Sequence, residues 1–298
     1  MANLKEVRDR ISSVKNIQQI TQAMKMVAAS KLRRAQDKIT QMRPYANKMD
    51  QMLKNILSNL EGDANTTFGI ERPVERAALV VVTSNRGLAG AFNTNICKAA
   101  VTALNGELKD LAESGDVYVV CIGKKGYDYL RRRFPDLRYN TDNIDLFDDL
   151  SFEKTAKVAE RLMDAFEYGT YDKVMVAYSS FKNAAVQNAQ LVQFLPVVQE
   201  KVEKVEGSNL KADYIFEPNK TELLEYLIPS ILKNTFHKFT LDTNAAEHGA
   251  RMTAMDKATE NAQDLLKGLK LAYNKARQEA ITTQILEIVG GAAALENG

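Results

Sequence analysis

The chain has 298 residues, 45% hydrophobic and 26% charged, which places it among globular chains and away from disordered or low-complexity polymers. No run of 18 or more apolar residues occurs, so no segment has the length and character of a membrane-spanning helix. The net charge of +2 is unevenly divided: residues 1–60 hold twelve Lys or Arg against four Asp or Glu, which leaves −6 on the remainder.

The first segment, 1–60, reads as one long helix. Leu32, Ala35, Ile39, Met42, Ala46, Met49, Leu53, Ile56 and Leu60 alternate spacings of three and four, a coiled-coil seam. Leu4, Val7, Ile11 and Val14 begin the same pattern. Ile17, Ile20, Met24 and Val27 continue it one residue out of phase, so a local slip of the seam is expected. Sixty helical residues at 1.5 Å rise span ~90 Å, beyond an ordinary globular helix. Pro44 inside the pattern predicts a kink without a stop. The start, MANLKEVRDRIS, mixes acids with bases and has no apolar core, unlike a signal or transit peptide.

Residues 74–215 alternate strand and helix. Ala77–Thr83 and Val117–Ile122 are continuous apolar runs suited to buried parallel strands, and Asp172–Ser179 is a third. Helices are predicted over 94–112, 124–133 (stopped by Pro135) and 151–166. Ser151 would cap the last of these, with Lys154 in place of a capping-box acid. Residues 186–198 and 212–217 read as extended, a hairpin or an edge. The pattern predicts a three-layer Rossmann-like α/β domain. Asp142, Asp145, Asp148 and Asp149 read as a solvated loop. Cys97 and Cys121, in apolar surroundings, read as buried free thiols.

Glycine-containing turns follow the first two strands, SNRGLAGAFN with Gly87 and Gly90, and GKKG from Gly123 to Gly126. Neither matches a dinucleotide fingerprint or a P-loop, so the glycines read as turn residues and Lys124 and Lys125 as surface residues. Backbone amides at such turns do cradle phosphate in other folds, which keeps a nucleotide-binding enzyme as one alternative. The chain offers two histidines, His237 and His248, and no paired-His, CxxC or Ser-His-Asp pattern, so no nucleophile or base stands out. His248 falls on the tail's seam and reads as a satisfied core histidine.

The last segment, 216–298, answers the first. Ala245, His248, Met252, Met255, Thr259, Ala262, Leu266, Leu269, Tyr273, Ala276 and Ala280 again alternate threes and fours. Ile281, Ile285, Ile288 and Ala292 carry the stripe on, shifted by one. Two matched stripes at opposite ends of one chain predict a long antiparallel coiled coil bearing an α/β head. The one-signed charge of the first helix, with no acid between Asp9 and Asp37, suggests an acidic counterpart. A basic coiled-coil protein binding nucleic acid is the alternative function, although the first helix has Tyr45 as its one aromatic residue and no binding-module motif.

Residues 11–36 (ISSVKNIQQITQAMKMVAASKLRRAQ), 43–46 (RPYA), 84–93 (SNRGLAGAFN), 250–262 (ARMTAMDKATENA) and 273–295 (YNKARQEAITTQILEIVGGAAAL) together resemble the γ subunits of F-type ATP synthases. One departure is Gln284, where the family's C-terminal signature has Glu. The resemblance implies a rotor in the central stalk that couples ion-driven rotation of a membrane ring to conformational cycling of catalytic β subunits. It implies no chemistry and no cofactor in the chain itself. The implied partners are a hexamer of alternating α and β subunits, the ε subunit and the c-subunit ring, with one copy of the chain per complex and no nucleic acid. The implied location is peripheral, on the cytoplasmic face of a bacterial inner membrane. Implied subunit-contact residues are Met24, Lys25, Lys31, Arg33 and Arg34 on the first helix, and Arg251, Gln278, Thr282 and Glu287 on the last. Spacing predicts that Gln278, Thr282 and Glu287 share a helical side. The uncharged stretch 288–295 matches a tip turning in an apolar sleeve.

Overall fold

A computed structural model of the chain describes residues 4–58, 67–70, 72–197 and 220–296. Two long helices run near its ends, α1 (Leu4–Ser58) and α6 (Lys220–Glu296). The chain forms two compact units, residues 1–28 with 252–298, and residues 29–251.

In the first unit the terminal helices pair antiparallel. Arg8 donates to the Tyr273 hydroxyl at 3.0 Å, Thr259 to the Thr21 hydroxyl at 2.8 Å, and Lys25 to Asp256 at 2.5 Å. Val14, Ala262 and Leu266 form a buried cluster, with Ile11 and Leu269 against it. The first three pairs have residue numbers totalling 280 or 281, so one register runs through them.

That register overturns the predicted slip. Ile17, Ile20 and Val27 are exposed. From Leu4 to Ile39, positions 4, 7, 11, 14, 18, 21, 25, 28, 32, 35 and 39 are kept from solvent in an alternation of three and four, with Met24 and Ala29 half-buried beside it. Gln18, Thr21 and the Lys25 stem occupy seam positions, and the neighbouring β-branched residues turn outward. The apolar pattern and the seam part company here because Thr21 finds a polar mate in Thr259. On α6 the seam keeps Met255, Thr259, Ala262, Leu266, Leu269, Tyr273 and Ala276. Its predicted continuation through Ile281, Ile285 and Ile288 is overturned: these are exposed. The reason is length. At the observed register Leu4 stands opposite position 277, and residues 277–296 of α6, about 30 Å of helix, extend past it.

The second unit is built on a five-stranded sheet, β1 (Ala77–Val82), β2 (Val117–Ile122), β3 (Arg138–Asn140), β4 (Lys173–Phe181) and β5 (Gln187–Leu195), in the order β3-β2-β1-β4-β5. β5 is antiparallel to β4, and the other neighbours are parallel. The apolar runs read as strands for a physical reason: β1 is buried on both faces. Ala78, Val80 and Val82 enter a core with Val158, Leu162 and Phe166 of α5 (Phe152–Glu167) and with Ile228, Phe236 and Phe239 of α6. α2 (Phe92–Asn105) and α4 (Lys124–Arg133) cover the other face. This is the Rossmann-like head. α1 continues through Pro44 without a stop.

Three local expectations change. The predicted helix over 94–112 is two helices, α2 and α3 (Lys109–Ser114), broken at Gly106, where a Cβ would lie 2.9 Å from the Thr102 carbonyl. The strand β3 was not anticipated; it has three residues and no apolar run. The reading of 212–217 as extended lies outside the described residues, while 187–195 forms the antiparallel edge. Ser151 stands at the N-cap of α5 without a side-chain cap bond, and Lys154 pairs with Asp149 at 2.7 Å. Cys97 and Cys121 are buried and free, each thiol pushed up to about 12 by burial.

Candidate functional site

Three regions gather the residues singled out by sequence: the basic stretch of α1, the crevice at the carboxyl end of the sheet, and the far end of α6.

On α1, Lys25 is turned inward to Asp256, so its charge is answered within the chain. Met24 beside it is half-buried. Lys31, Arg33 and Arg34 are exposed and make no ion pair among the described residues. These three are the cations of the predicted set that remain open to a partner.

In a doubly wound sheet the ligand crevice opens where neighbouring strands send their connections to opposite faces, here between β1 and β4. It is occupied by the chain's own helix. β1 has its last β4 partner at Ala177, and the Ser179 N–H beyond it donates to Thr243 Oγ1 of α6 at 3.3 Å. Arg251 donates to the carbonyls of Arg86 and Gly87 at 3.2 and 3.3 Å, and to Glu247 at 2.7 Å. Within the turn, Ser84 N–H donates to Asn93 Oδ1 at 3.0 Å and Ser84 Oγ to the Arg86 carbonyl at 2.7 Å. The turn's polar groups are therefore engaged with one another and with α6. The GKKG glycines answer to packing: Gly123 has φ +90° and a Cβ there would lie 2.0 Å from the Thr83 carbonyl, while Gly126 N–H donates to Thr83 Oγ1 at 2.8 Å. Lys124 and Lys125 are exposed, as expected.

Arg251 is thus a latch between α6 and the first turn of the head, a role its sequence position did not disclose. Burial raises the Glu247 carboxyl above its ordinary range, and Arg251, Lys31 and Arg86 pull against that rise. Burial, then Arg251 and Lys31, depress His248 to about 4, so it is neutral near pH 7. The expectation of a satisfied histidine is corrected: His248 Nδ1 is buried without a hydrogen-bond partner among the described residues. His237 is bonded through Nδ1 to Thr155 Oγ1 at 2.8 Å and depressed to about 4, chiefly by burial. No group of three or more His, Cys, Asp or Glu able to hold a metal occurs among the described residues.

On the far end of α6, Gln278, Thr282 and Glu287 are all exposed. Thr282 Oγ1 donates to the Gln278 carbonyl at 2.9 Å, so these two share a face. Glu287 does not join them: nine residues from Gln278 is two and a half turns, the opposite side of the helix. Gly290 and Gly291 meet nothing within 4 Å, so the chain itself does not require their smallness.

A family model described as ATP synthase matches residues 3–295. The ATP synthase gamma chain of Cytophaga hutchinsonii is 51% identical over 297 residues, covering 100% of each chain. That of Christiangramia forsetii is 52% identical over 295 residues, covering 99% of each. Among solved structures, a chain of the Euglena gracilis mitochondrial ATP synthase (OSCP/F1/c-ring) is similar with TM-score 0.66 at 21% identity, covering 99% of this chain and 95% of that one. A chain of the Tetrahymena thermophila mitochondrial ATP synthase central stalk and c-ring gives TM-score 0.53 at 24% identity, covering 80% and 99%.

Proposed function

Because the chain belongs to the ATP synthase gamma chain family, we propose that it is the central-stalk rotor of an F-type ATP synthase, turned by a membrane ring and acting on catalytic β subunits. The observation that carries this reading is a match of about half the residues along the full chain, both terminal helices included. The rotor itself makes and breaks no covalent bond. It works by differential contact: each angular position stabilises one β conformation over another, and a partner shifts an equilibrium only by such a difference.

The proposed partners are a hexamer of α and β subunits around the paired helices, and an ε subunit and c ring at the head, with one rotor per complex. The complex lies on the cytoplasmic face of a bacterial inner membrane. No described helix is long and apolar enough to cross a membrane, in keeping with peripheral attachment. Lys31, Arg33 and Arg34 are the cations available to acidic loops on β. Exposed ion pairs are worth roughly 0–1 kcal/mol, which suits contacts that break at every step. Ile281, Ile285, Ile288 and Val289 on the unpaired end of α6 offer apolar contact without direction, suited to a bearing.

The test is reconstitution. The chain should co-purify with α and β subunits in a complex whose ATP hydrolysis is coupled to ion pumping. Replacing Lys31, Arg33 and Arg34 by Gln should lower that coupling while the chain stays folded, with at most a small change in melting temperature from the loss of Lys31's pull on Glu247. Failure to assemble with α and β would refute the reading; unchanged coupling would remove these three residues from it.

A further inference from the structure

The head carries a second basic region that the rotor reading does not use. Residues 124–140 hold six cations, Lys124, Lys125, Arg131, Arg132, Arg133 and Arg138, against Asp128 and Asp136. None of the six forms an ion pair among the described residues. Cations at the end of α4 do complement the helix dipole. That accounts for their tolerance in the last turn and not for Arg138, which lies on β3.

β3 is the terminal strand of the sheet. Its residues make no backbone bond beyond the β2 ladder among the described residues, so its outer edge is open. The two sides of that edge are both basic. Tyr139 points to the α4 face, where it packs edge-on against Tyr127 at 5.6 Å and donates to the Phe134 carbonyl at 2.8 Å. Arg131 lies over the same Tyr127 ring at 5.5 Å. Arg138, one residue from Tyr139, points to the opposite face and lies over Tyr118 at 5.1 Å. Each of these two guanidinium groups also donates to the hydroxyl of its tyrosine. They are therefore held in place before any ligand arrives, which lowers the ordering cost of binding.

We propose that the open β3 edge, flanked by Arg131 of the basic α4 end on one face and Arg138 on the other, docks an extended acidic segment of a partner protein. An added strand pairs its backbone with the edge and sends consecutive side chains to opposite faces. Adjacent carboxylates would thus meet arginines on both sides. Arginine suits the task because its planar fork engages a carboxylate bidentately. Nucleic acid fits less well: Tyr118, Tyr127 and Tyr139 beside the edge are half-buried and packed against a tyrosine or an arginine, so their rings are not free for base stacking. A membrane surface fits less well, since no large apolar side chain of 124–140 is exposed to insert. The proposal does not rest on the rotor function, because the surface lies wholly within the head.

The experiment uses the full chain and a fluorescein-labelled peptide of about ten glutamates at about 50 mM salt, where screening is modest. Binding is read by anisotropy and by hydrogen exchange at 138–140. The expected result is saturable binding that slows exchange on the edge. Replacing Arg131, Arg132 and Arg133 by Glu should weaken it at least about tenfold, and Arg138→Gln alone by roughly threefold. Replacing Lys98 and Lys157, exposed cations elsewhere on the head, by Gln should change it less than about twofold. Circular dichroism confirms that each variant is folded. Absence of peptide binding would overturn the proposal, as would binding that depends on Lys98 and Lys157 and not on α4. Equal or tighter binding of oligo-dT or of phosphatidylglycerol vesicles through the same arginines, without slowed exchange at β3, would overturn it in favour of a general polyanion surface.

Discussion

Arg251 tests whether the latch between α6 and the head is structural. Its side chain is 13% exposed and that of Glu247 10%, with 2.7 Å between them. Removing one member of such a pair leaves an uncompensated buried charge, at about 3–5 kcal/mol. The lost bonds to the Arg86 and Gly87 carbonyls add less, because those groups lie near solvent. Arg251→Met should therefore destabilise the protein by about 4 kcal/mol, a fall of roughly 8–16 °C in melting temperature for a unit of this size. The pH dependence has a fixed sign. Burial already raises Glu247 above its unfolded value, and losing Arg251 raises it further. A carboxyl so raised binds more protons in the folded state, so stability falls as pH rises through the folded pKa and returns on acidification. Urea denaturation at pH 5 and pH 7.5 should show the larger deficit at the higher pH. Glu247→Gln in the same background should restore about 2 kcal/mol or more by removing the stranded charge. A deficit below about 1 kcal/mol, or one that neither pH nor Glu247→Gln relieves, would refute the latch.

His248, held down in part by Arg251, should titrate at higher pH in Arg251→Met, as read from its imidazole proton shifts. Gly123→Ala meets both a backbone clash and a disfavoured φ and should cost several kcal/mol, roughly the upper range for a single substitution, measured by denaturation. Leu266→Ala should cost about 2–4 kcal/mol by opening the cluster with Val14 and Ala262, with a matching loss in the thermal melt. Val289→Lys should leave the melt of the isolated chain within about 0.5 kcal/mol, since Val289 is exposed, and should impair assembly or turnover of the complex.

Much of the fold was legible because its signals are local. The continuous apolar runs at Ala77–Val82 and Val117–Ile122 leave no solvated face, and Pro135 marks the end of α4. Other features depend on partners. Gln18 and Thr21 do not look like seam residues until Thr259 stands opposite Thr21, whereas Ile17 and Ile20 look like seam residues and are not. The break at Gly106 did have a signal, the Asn105-Gly106 pair, which the helical periodicity masked. The site was less legible than the fold. Sequence flagged Lys25 and Arg251 as contacts for other subunits, but a one-dimensional pattern does not show that Asp256 and Glu247 already answer their charges. The arginines beside β3 went unremarked because that strand is too short to declare itself.

The hydroxyl pair Thr21–Thr259 does more than fill a layer. A purely greasy interface between two helices would tolerate sliding by seven residues, trading one leucine for another. Here such a shift would break the Thr259–Thr21 bond, leaving each hydroxyl with the carbonyl of its own helix (Gln18 for Thr21, Met255 for Thr259), and would part Lys25 from Asp256, a penalty of about 1–2 kcal/mol. The two helices are keyed at that level, as a shaft is keyed to its hub, and a twist entering one of them passes to the other without backlash.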